Sequence, residues 1–303
     1  MRAGVVGTGH LGYHHARILR DLADSVAVFD SDRGRASQVS QELGVALAGT
    51  RDELFDSVDA VVVACTTVSH HEVVMAALEA DLPVLVEKPM AADSLQATEL
   101  ESEASKRGLT LAVGHVERFN PAVTAASPLL ADPRFVEAHR LASFKPRGTD
   151  VSVVLDLMIH DIDLVLSFVH SEVAAVRASG VAVLTDSTDI ASARIEFRNG
   201  AVANLTASRI SREPMRKLRF FLDRRYVSID FAGRSVEVLE LREGEIRPVP
   251  VRVGGADPLT CELEDFLESC RTGRPPLVGA AEGVRALRAA EMIAAEMPNR
   301  PGV

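Results

Sequence analysis

The sequence predicts an α/β protein of two domains: a doubly wound parallel sheet first, then an α/β domain with a mostly antiparallel sheet. Three observations predict this class. Apolar runs alternate with helix-like stretches through the first 120 residues. After residue 150 the pattern changes to longer strand-like segments, several of which alternate apolar and polar residues. The 303 residues are also enough for two domains with separate cores.

The first half is predicted to hold five parallel strands, because its apolar runs are rich in Val and Leu and show little polar alternation. Strand and helix alternating at this rhythm indicate a doubly wound sheet. We end this domain near residue 120, so the predicted domains are 1–120 and 121–303. The predicted strands are 3–7, 26–30, 60–65, 83–88 and 109–115, and the predicted helices are 11–23, 33–43, 70–80 and 93–107.

The second half opens with a predicted amphipathic helix over 151–170. Asn199-Gly200, between two strand-like runs, predicts a tight hairpin. The alternating segments indicate a largely antiparallel sheet with one exposed or partner-covered face. We leave open whether the last two predicted helices, 257–271 and 279–297, pack back on the first domain. The predicted strands are 173–184, 190–198, 201–209, 216–223, 225–231 and 235–241.

Composition excludes several classes of protein. A net charge of −10 argues against nucleic acid as the main partner. No apolar run approaches the roughly 20 residues that span a bilayer, and the start lacks the features of a signal peptide. Cys65, Cys261 and Cys270 are scattered without paired metal-ligand spacing. We therefore expect a cytoplasmic protein with no membrane contact and no metal.

The stretch "GVVGTGHLGYHH" places Gly7, Gly9 and Gly12 between a predicted strand and a predicted helix. Such a loop binds the pyrophosphate of a dinucleotide at the helix N-terminus. Asp30 ends the second strand, 18 residues after Gly12, where a carboxylate accepts hydrogen bonds from ribose hydroxyls. This favours NAD. Arg33 nearby leaves NADP open, and a tight turn without ligand is the structural alternative.

Three further stretches resemble the Gfo/Idh/MocA family of oxidoreductases: "VEKPMA" with Glu87-Lys88-Pro89, "GHVERFNPA" at 114–122, and "DLMIHDID" with Asp156 and His160. The resemblance covers nearly the whole chain. It implies a Rossmann domain that binds NAD(P), then an α/β domain with a large, open, mostly antiparallel sheet. It further implies a homodimer or homotetramer formed through that sheet. The cofactor-binding residues that it implies are Gly7, Gly9, His10, Leu11, Gly12, Asp30, Thr66, His70, Glu87, Lys88 and His115.

The expected reaction is hydride transfer from a sugar hydroxyl, for which the protein must supply a base. By resemblance Lys88 hydrogen-bonds the reacting hydroxyl. His160 suits the base role because its ordinary pKa is near neutrality, and Asp156, one turn earlier, orients it or contacts substrate. Which of Lys88 and His160 takes the proton stays open. A surface lysine and a satisfied core histidine are the structural alternatives.

The stretches "GHVERFNPAV", "MIHDIDLVLSFV" and "NLTASRIS" further resemble the branch that includes UDP-N-acetylglucosamine 3-dehydrogenases. A nucleotide sugar needs cations for its pyrophosphate, and Arg suits bidentate phosphate contacts. Lys145 and Arg147 are our candidates for binding the pyrophosphate. The run from Arg216 to Arg219 is at least as typical of a solvated strand edge as of a phosphate site. The predicted substrate-binding residues are Lys88, Asn120, Lys145, Arg147, Asp156 and His160.

Several alternatives remain open. A free polyol or hexose, such as an inositol, is the second substrate class, and a catalytically silent NAD-binding regulator on the same fold is the third possibility. Arg118 and Asn120 are predicted either to cap a helix at the domain junction or to touch substrate. We expect His15 to pack against the sheet, and Asp161 and Asp163 to face solvent or the domain junction.

Overall fold

The structure, a computed structural model, describes residues 1–144 and 151–297. It divides into two compact units, each built from two separate stretches of chain. Unit 1 comprises Met1–Val116 and Asp257–Val284, and unit 2 comprises Glu117–Ala256 and the residues from Arg285 onward.

The elements follow one another in the alternating order that the sequence predicts for its first half. Through residue 114 they are β1 (Arg2–Val6), α1 (His10–Leu22), β2 (Ser25–Phe29), α2 (Arg33–Leu43), β3 (Ala46–Leu47), α3 (Arg51–Ser57), β4 (Ala60–Val63), α4 (Thr67–Glu79), β5 (Val84–Glu87), α5 (Ser94–Arg107) and β6 (Leu111–Gly114).

The remaining elements begin at Pro121. They are α6 (Pro121–Ala126), β7 (Phe135–Leu141), a π-helical segment (Val154–Met158) that runs directly into α7 (Ile159–Phe168), β8 (Val173–Val181), β9 (Ile190–Phe197), β10 (Val202–Ser208), β11 (Met215–Leu222), β12 (Arg225–Asp230), β13 (Ser235–Arg242), β14 (Glu245–Pro248), α8 (Pro258–Thr272) and α9 (Ala280–Ala295).

Unit 1 contains a six-stranded parallel sheet in the order β3-β2-β1-β4-β5-β6, which is the Rossmann order. The five predicted strands are confirmed. The short β3 and α3 were not predicted, since two residues of strand and seven of helix carry little periodicity. Because all strands run parallel, their carboxyl ends lie along one edge of the sheet, where such folds bind ligands.

The helix α8 belongs to the core of unit 1 although it lies far along the chain. Leu263, Phe266 and Leu267 are fully buried and share one apolar cluster with Ile18 and Leu19 of α1. Side chains three and four residues apart lie on one face of a helix, which explains why these three pack together. The Rossmann sheet is therefore covered in part by a helix from beyond residue 256.

Unit 2 contains an eight-stranded sheet in the order β14-β13-β12-β11-β7-β10-β9-β8. Among the described residues its strand pairs are antiparallel, except that β7 and β10 run parallel. The predicted hairpin is confirmed: Asn199-Gly200 joins β9 to β10, and Gly200 has a φ of +83° that suits glycine. The mostly antiparallel sheet is thus confirmed, and β7 and β14 complete it.

The two faces of this sheet differ in exposure. Cross-strand partners on one face are buried and apolar, as with Phe220, Val136 and Ala203. On the other face Arg219, Glu137 and Asn204 lie side by side and stay partly exposed. Strand alternation places every second residue on the same face, so the unit buries one side of the sheet only.

Across 1–144 and 151–297, no helix is both long enough and apolar enough to cross a bilayer.

Candidate active site

The glycine loop between β1 and α1 is shaped by three different constraints. Gly7 has a φ of +92°, and a Cβ there would lie 2.6 Å from the backbone nitrogen of Cys65. A Cβ on Gly12 would lie 1.8 Å from the carbonyl oxygen of Gly7, so the helix can approach the loop only with glycine there. A Cβ on Gly9 would meet no atom within 4 Å. Gly9 therefore leaves open space that the described residues do not fill.

The N-terminus of α1 faces the same loop. Gly9 occupies the cap position and, having no side chain, makes no side-chain cap hydrogen bond to the first N–H groups of the helix. His10 and Leu11 are exposed in the first turn. Uncapped N–H groups at a helix start, with the favourable dipole, attract an anion such as a pyrophosphate.

Asp30 follows β2 directly and is held by the glycine loop. One of its carboxylate oxygens accepts from the backbone N–H of Thr8 at 2.7 Å and from the Thr8 hydroxyl at 3.0 Å; the other accepts from the Asp32 N–H at 2.9 Å. Burial raises the pKa of Asp30, but these hydrogen bonds outweigh it, and the net shift is downward. Asp30 is therefore a fixed carboxylate beside the loop, as ribose recognition requires.

Thr66 and His70 mark the start of α4, after β4. Thr66 is exposed at the cap position, and its hydroxyl lies 3.4 Å from that of Ser69. His70 is buried, with Nδ1 2.9 Å from the carbonyl oxygen of Pro89 and Nε2 3.2 Å from that of Cys65. Burial lowers the pKa of His70. His70 thus connects the loop after β4 to the loop after β5.

Glu87 is the last residue of β5 and its side chain is buried. Oε1 lies 2.7 Å from Nε2 of His15, and Oε2 accepts from the backbone N–H of Lys88 at 3.2 Å. Burial pushes the pKa of Glu87 upward, but the hydrogen bond from His15 and the positive charges of His15 and Lys88 outweigh it. His15 does pack inside, as expected, but as a hydrogen-bond partner of Glu87 rather than as an apolar filler.

Lys88 is half-buried directly after β5, and His115 is buried directly after β6. Gly7 and Asp30 follow β1 and β2 in the same way, and Thr66 is the third residue after β4. The predicted cofactor residues therefore gather along one edge of the parallel sheet, at the carboxyl ends of five strands. Parallel sheets of this type bind dinucleotides at that edge.

In unit 2, Asp156 and His160 lie on consecutive turns of different type. Asp156 is within the π-helical segment, and His160 is the second residue of α7; both are half-buried. The prediction of one uniform helix is therefore wrong in detail, since its first turns are wider. A single turn of π-helix inside an α-helix is frequent at functional sites.

A buried ionic network fixes α7. Arg140 on β7 donates to both carboxylate oxygens of Asp161 at 3.0 and 2.8 Å and to Glu117 at 3.0 Å. Burial lowers the pKa of Arg140, but the carboxylates of Asp161 and Glu117 raise it by more. Arg216 also donates to Glu117. Asp161 is buried, which excludes the solvent alternative of its prediction, and the domain-junction alternative stays a prediction. Arg216 pairs with the buried Glu117, so it is not an unpaired cation of a basic edge.

Arg118 binds Asp163 with two hydrogen bonds, at 2.6 and 2.9 Å. Asp163 is 2% exposed, which excludes solvent for it as well, and its predicted place at the domain junction stays a prediction. Asn120 caps α6 by accepting from the Ala122 N–H at 3.0 Å and donates to Glu117 at 3.1 Å. The helix-capping alternative for Asn120 is thus confirmed, whereas its contact with substrate stays a prediction.

Lys145 and Arg147 lie outside the described residues, so their role stays a prediction. Within unit 2, Arg209 is buried. Sequence reasoning missed Arg140 and Glu262, both of which are buried ionisable residues. A charged residue within a strand or helix pattern looks like a surface residue until its distant partners are known.

The residues of unit 1 fit a dinucleotide cofactor. The open space above Gly9, the uncapped start of α1 and the fixed carboxylate of Asp30 are together what pyrophosphate and ribose require. Among the described residues, the one cluster with metal-ligating atoms is His15, Glu87 and Glu262, whose ligand atoms lie within 4.8 Å of one another.

Two family descriptions match the chain. "Oxidoreductase family, NAD-binding Rossmann fold" matches residues 1–115, and "GFO/IDH/MocA C-terminal domain" matches residues 129–227.

Individual relatives extend the match to nearly the full length. A UDP-N-acetylglucosamine 3-dehydrogenase from Acidithiobacillus ferrooxidans is 40% identical, with 96% of this chain and 95% of the relative covered. Its solved structure superposes with a TM-score of 0.93 at 39% identity, covering 98% of this chain and 97% of that one. A myo-inositol 2-dehydrogenase from Thermotoga maritima is 26% identical, with 95% and 93% covered. The chain therefore belongs to the Gfo/Idh/MocA family of NAD-binding oxidoreductases.

Proposed function

We propose that the protein is an NAD-dependent dehydrogenase that oxidises a hydroxyl of a UDP-sugar, with the 3-hydroxyl of UDP-N-acetylglucosamine as the first candidate. The observation that carries this proposal is the 40% identity, over 96% of the chain, to a UDP-N-acetylglucosamine 3-dehydrogenase. The myo-inositol 2-dehydrogenase of similar coverage is only 26% identical. The cofactor edge of unit 1 supports the hydride-transfer chemistry.

The mechanism assigns binding and proton transfer to this chain's residues. A bound NAD+ would supply the acceptor for the hydride that leaves the carbinol carbon. The uncapped start of α1 holds the pyrophosphate, and Asp30 binds the adenosine ribose. Lys88 donates a hydrogen bond to the reacting hydroxyl oxygen and stabilises the negative charge that develops there.

The hydroxyl proton must leave to a base as the ketone forms. His160 and Lys88 are the two candidates, and Asp156 orients His160 or contacts the sugar. The ion pairs of Asp161 and Asp163 fix the helix on which His160 lies. A base on a rigid helix keeps a constant position, and general base catalysis requires it to stay within hydrogen-bond distance of the proton.

The substrate proposal is tested with a panel of UDP-sugars and polyols, assayed with NAD+ by nicotinamide absorbance. Glutamate and an aminotransferase that consumes a 3-keto sugar are added to draw the oxidation forward. We expect NADH only with UDP-sugars. Turnover of inositol alone would establish the polyol alternative. NAD+ binding without turnover of any compound would indicate the regulatory alternative.

The catalytic residues are tested with Lys88→Ala and His160→Ala. Loss of a general acid–base or charge-stabilising group lowers kcat by about 10²–10⁴-fold. Matched controls are Lys106→Ala and His170→Ala, which remove exposed side chains of the same types. Each catalytic variant should still bind NAD+. Turnover at the wild-type rate in either would exclude its proposed role.

We further propose a cytoplasmic homodimer or homotetramer that assembles through the partly exposed face of the eight-stranded sheet. The row Arg219, Glu137, Asn204 and Arg194 supports this, because cross-strand partners present a continuous polar surface for a second copy. Light scattering gives the mass. Arg194→Glu should shift it toward the monomer, and an unchanged mass would place the contact elsewhere.

A further inference from the structure

A buried cluster of three ionisable side chains lies at the carboxyl end of β5 in unit 1. His15 comes from α1, Glu87 from the end of β5 and Glu262 from α8. One ligand atom from each lies within 4.8 Å of the others, and all three residues are less than 9% exposed. Two of the three are joined directly, since His15 and Glu87 hydrogen-bond at 2.7 Å.

Glu262 is the unexplained member of this cluster. Neither of its carboxyl oxygens hydrogen-bonds another described residue. Nδ1 of His15 likewise has no hydrogen-bond partner among the described residues. An ionised carboxylate buried without a partner is strongly destabilised, so the group stays neutral instead. Burial raises the pKa of Glu262 well above its usual range, and the carboxylates of Glu87 and Asp265 raise it further.

A proton suits this cluster better than a metal ion. His15 and Glu87 already use their facing atoms on each other, so a cation between them would have to break a 2.7 Å hydrogen bond. One atom of Glu262 lies within 4.8 Å of an atom of each partner, so any gap between them is no wider than that. One bridging water or a side-chain rotation closes such a gap for a carboxylic acid.

We propose that Glu262 is a neutral carboxylic acid that keeps its proton, donates a hydrogen bond to the His15–Glu87 pair directly or through one water, and through Glu87 positions Lys88. Glu262 is then a positioning residue and does not touch substrate. The proton stays within the cluster and no bond to substrate forms there. The catalytic part of this proposal rests on the proposed dehydrogenase function, whereas the protonation state of Glu262 does not.

The path from Glu262 to Lys88 is short. Oε2 of Glu87 accepts from the backbone N–H of Lys88, which follows it in the chain. Glu87 also packs on Gly114 of the neighbouring strand, where a Cβ would lie 2.9 Å from Oε2. The Glu87 carboxylate is therefore confined on several sides, and a displaced carboxylate would move the start of the Lys88 loop.

The experiment compares Glu262→Gln, Glu262→Ala and Glu264→Ala. Gln keeps the size, the neutrality and a hydrogen-bond donor; Ala removes all contacts; Glu264 is an exposed control on the same helix. With UDP-N-acetylglucosamine and NAD+, we expect Glu262→Ala to lower kcat by up to about 10²-fold, with the KM for NAD+ nearly unchanged. Glu262→Gln should restore most of kcat.

Two outcomes of these kinetics would overturn the positioning role. Equal kcat values for Glu262→Ala and the Glu264→Ala control would show that Glu262 has no effect on the reaction. Loss of kcat in Glu262→Gln as large as in Glu262→Ala would show that a carboxylate charge, not a donor, is required.

A spectroscopic measurement tests the proton independently of any substrate. The infrared difference between wild type and Glu262→Gln should contain the carbonyl stretch of a protonated carboxylic acid near neutral pH. Absence of that band overturns the proposal, as does a stoichiometric divalent metal in the purified protein whose removal by a chelator lowers Tm. If the wild type turns over no UDP-sugar but shows the band, the proposed function fails and the neutral Glu262 stands.

Discussion

Gly9 and Gly12 lack side chains for different physical reasons, and this difference is testable. A Cβ at Gly12 collides with backbone at 1.8 Å, whereas one at Gly9 meets nothing within 4 Å. We expect Gly12→Ala to destabilise the fold by more than about 2 kcal/mol. Gly9→Ala should leave Tm unchanged and weaken NAD+ at least about tenfold, or 1.4 kcal/mol.

Urea unfolding and titration calorimetry with NAD+ separate these effects. Gly34, near the start of α2, offers a control, because a Cβ there meets only a side-chain oxygen of Asp32 at 3.3 Å. Gly34→Ala should change neither the free energy of unfolding nor the affinity for NAD+ appreciably. If Gly9→Ala bound NAD+ as the wild type does, the space above Gly9 would not be the pyrophosphate site.

Asp30 is expected to set the preference for NAD over NADP. Its carboxylate repels a 2′-phosphate, and the Thr8 hydrogen bonds fix its position. Asp30→Asn keeps an acceptor for the Thr8 N–H while removing the charge, so the ratio of NAD+ to NADP+ affinity should fall about tenfold or more. Dissociation constants for both cofactors measure this ratio; an unchanged ratio would place selectivity in another residue, such as Arg33.

Glu262 should make stability depend on pH in a particular direction. Its pKa is raised in the folded state, so the unfolded chain loses this proton first as pH rises past about 4.5. Folding stability is therefore full below that pH and falls toward neutral pH, by up to about 1.4 kcal/mol per pH unit. The Gln side chain of Glu262→Gln does not titrate. The stability of this variant relative to wild type should therefore rise between about pH 4.5 and neutral pH.

Urea unfolding between pH 4 and pH 8 gives the comparison, with Glu264→Gln as the exposed control. A constant difference between Glu262→Gln and wild type over this range would mean that Glu262 ionises alike in both states.

At the scale of elements, β7 and α7 are joined by buried charge. Arg140 compensates Asp161 and Glu117 together, and all three are buried. Arg140→Met would leave Asp161 without its cation and Glu117 with Arg216 alone, which we expect to cost about 3–5 kcal/mol of unfolding free energy. Arg216→Met is the matched control, since Arg216 is half-exposed and shares only Glu117, and its cost should stay within about 1 kcal/mol.

Urea unfolding of both variants at neutral pH provides the measurement. Equal losses of unfolding free energy in the two variants would show that Arg140 is not the main counterion of Asp161 and Glu117. Because His160 lies on α7, a partly folded Arg140→Met protein should also have reduced kcat.

The regular elements were predictable because their periodicity is local. The strands of unit 1 and the Asn199-Gly200 hairpin follow from apolar runs and turn residues a few positions apart. The π-helical segment at Val154–Met158 was not predictable, since no local pattern distinguishes a wide turn from an α-helical one. The glycine loop and Asp30 were found because the fingerprint fixes their spacing.

The buried ionic contacts escaped prediction because they join residues far apart in the chain. Glu117 and Arg216 are 99 residues apart, and His15 and Glu87 are 72 apart. Each residue alone satisfies the pattern of a surface position, and only the folded arrangement shows what compensates it. The fold class therefore follows from the sequence to a larger extent than the electrostatics of the site.

At the scale of the molecule, unit 1 depends on residues from the end of the chain. Burial of Leu263, Phe266 and Leu267 is worth roughly 1.5–3 kcal/mol for each side chain. Because a domain has a net stability of only about 5–15 kcal/mol, we expect a chain ending at residue 256 to lose the fold of unit 1. Circular dichroism and NAD+ titration of this truncated protein test the prediction.

The matched control joins residues 1–116 to 257–284 through a flexible Gly-Ser linker. This shortened chain should regain a cooperative unfolding transition and NAD+ binding. A folded, NAD+-binding protein without α8 would show that the helix is an accessory to unit 1.

Unit 1 is built from two separate stretches of chain, so the ribosome synthesises its two parts at different times. The glycine loop is made among the first residues, but α8 emerges only after the 140 residues between Val116 and Asp257 have been translated. At about 5–20 residues per second, the first sheet waits roughly 7–28 s with its α8-facing apolar surface uncovered. A nonsense mutation before α8 would thus abolish NAD+ binding by the amino-terminal residues. Chaperones should be needed mainly in the interval before α8 is translated.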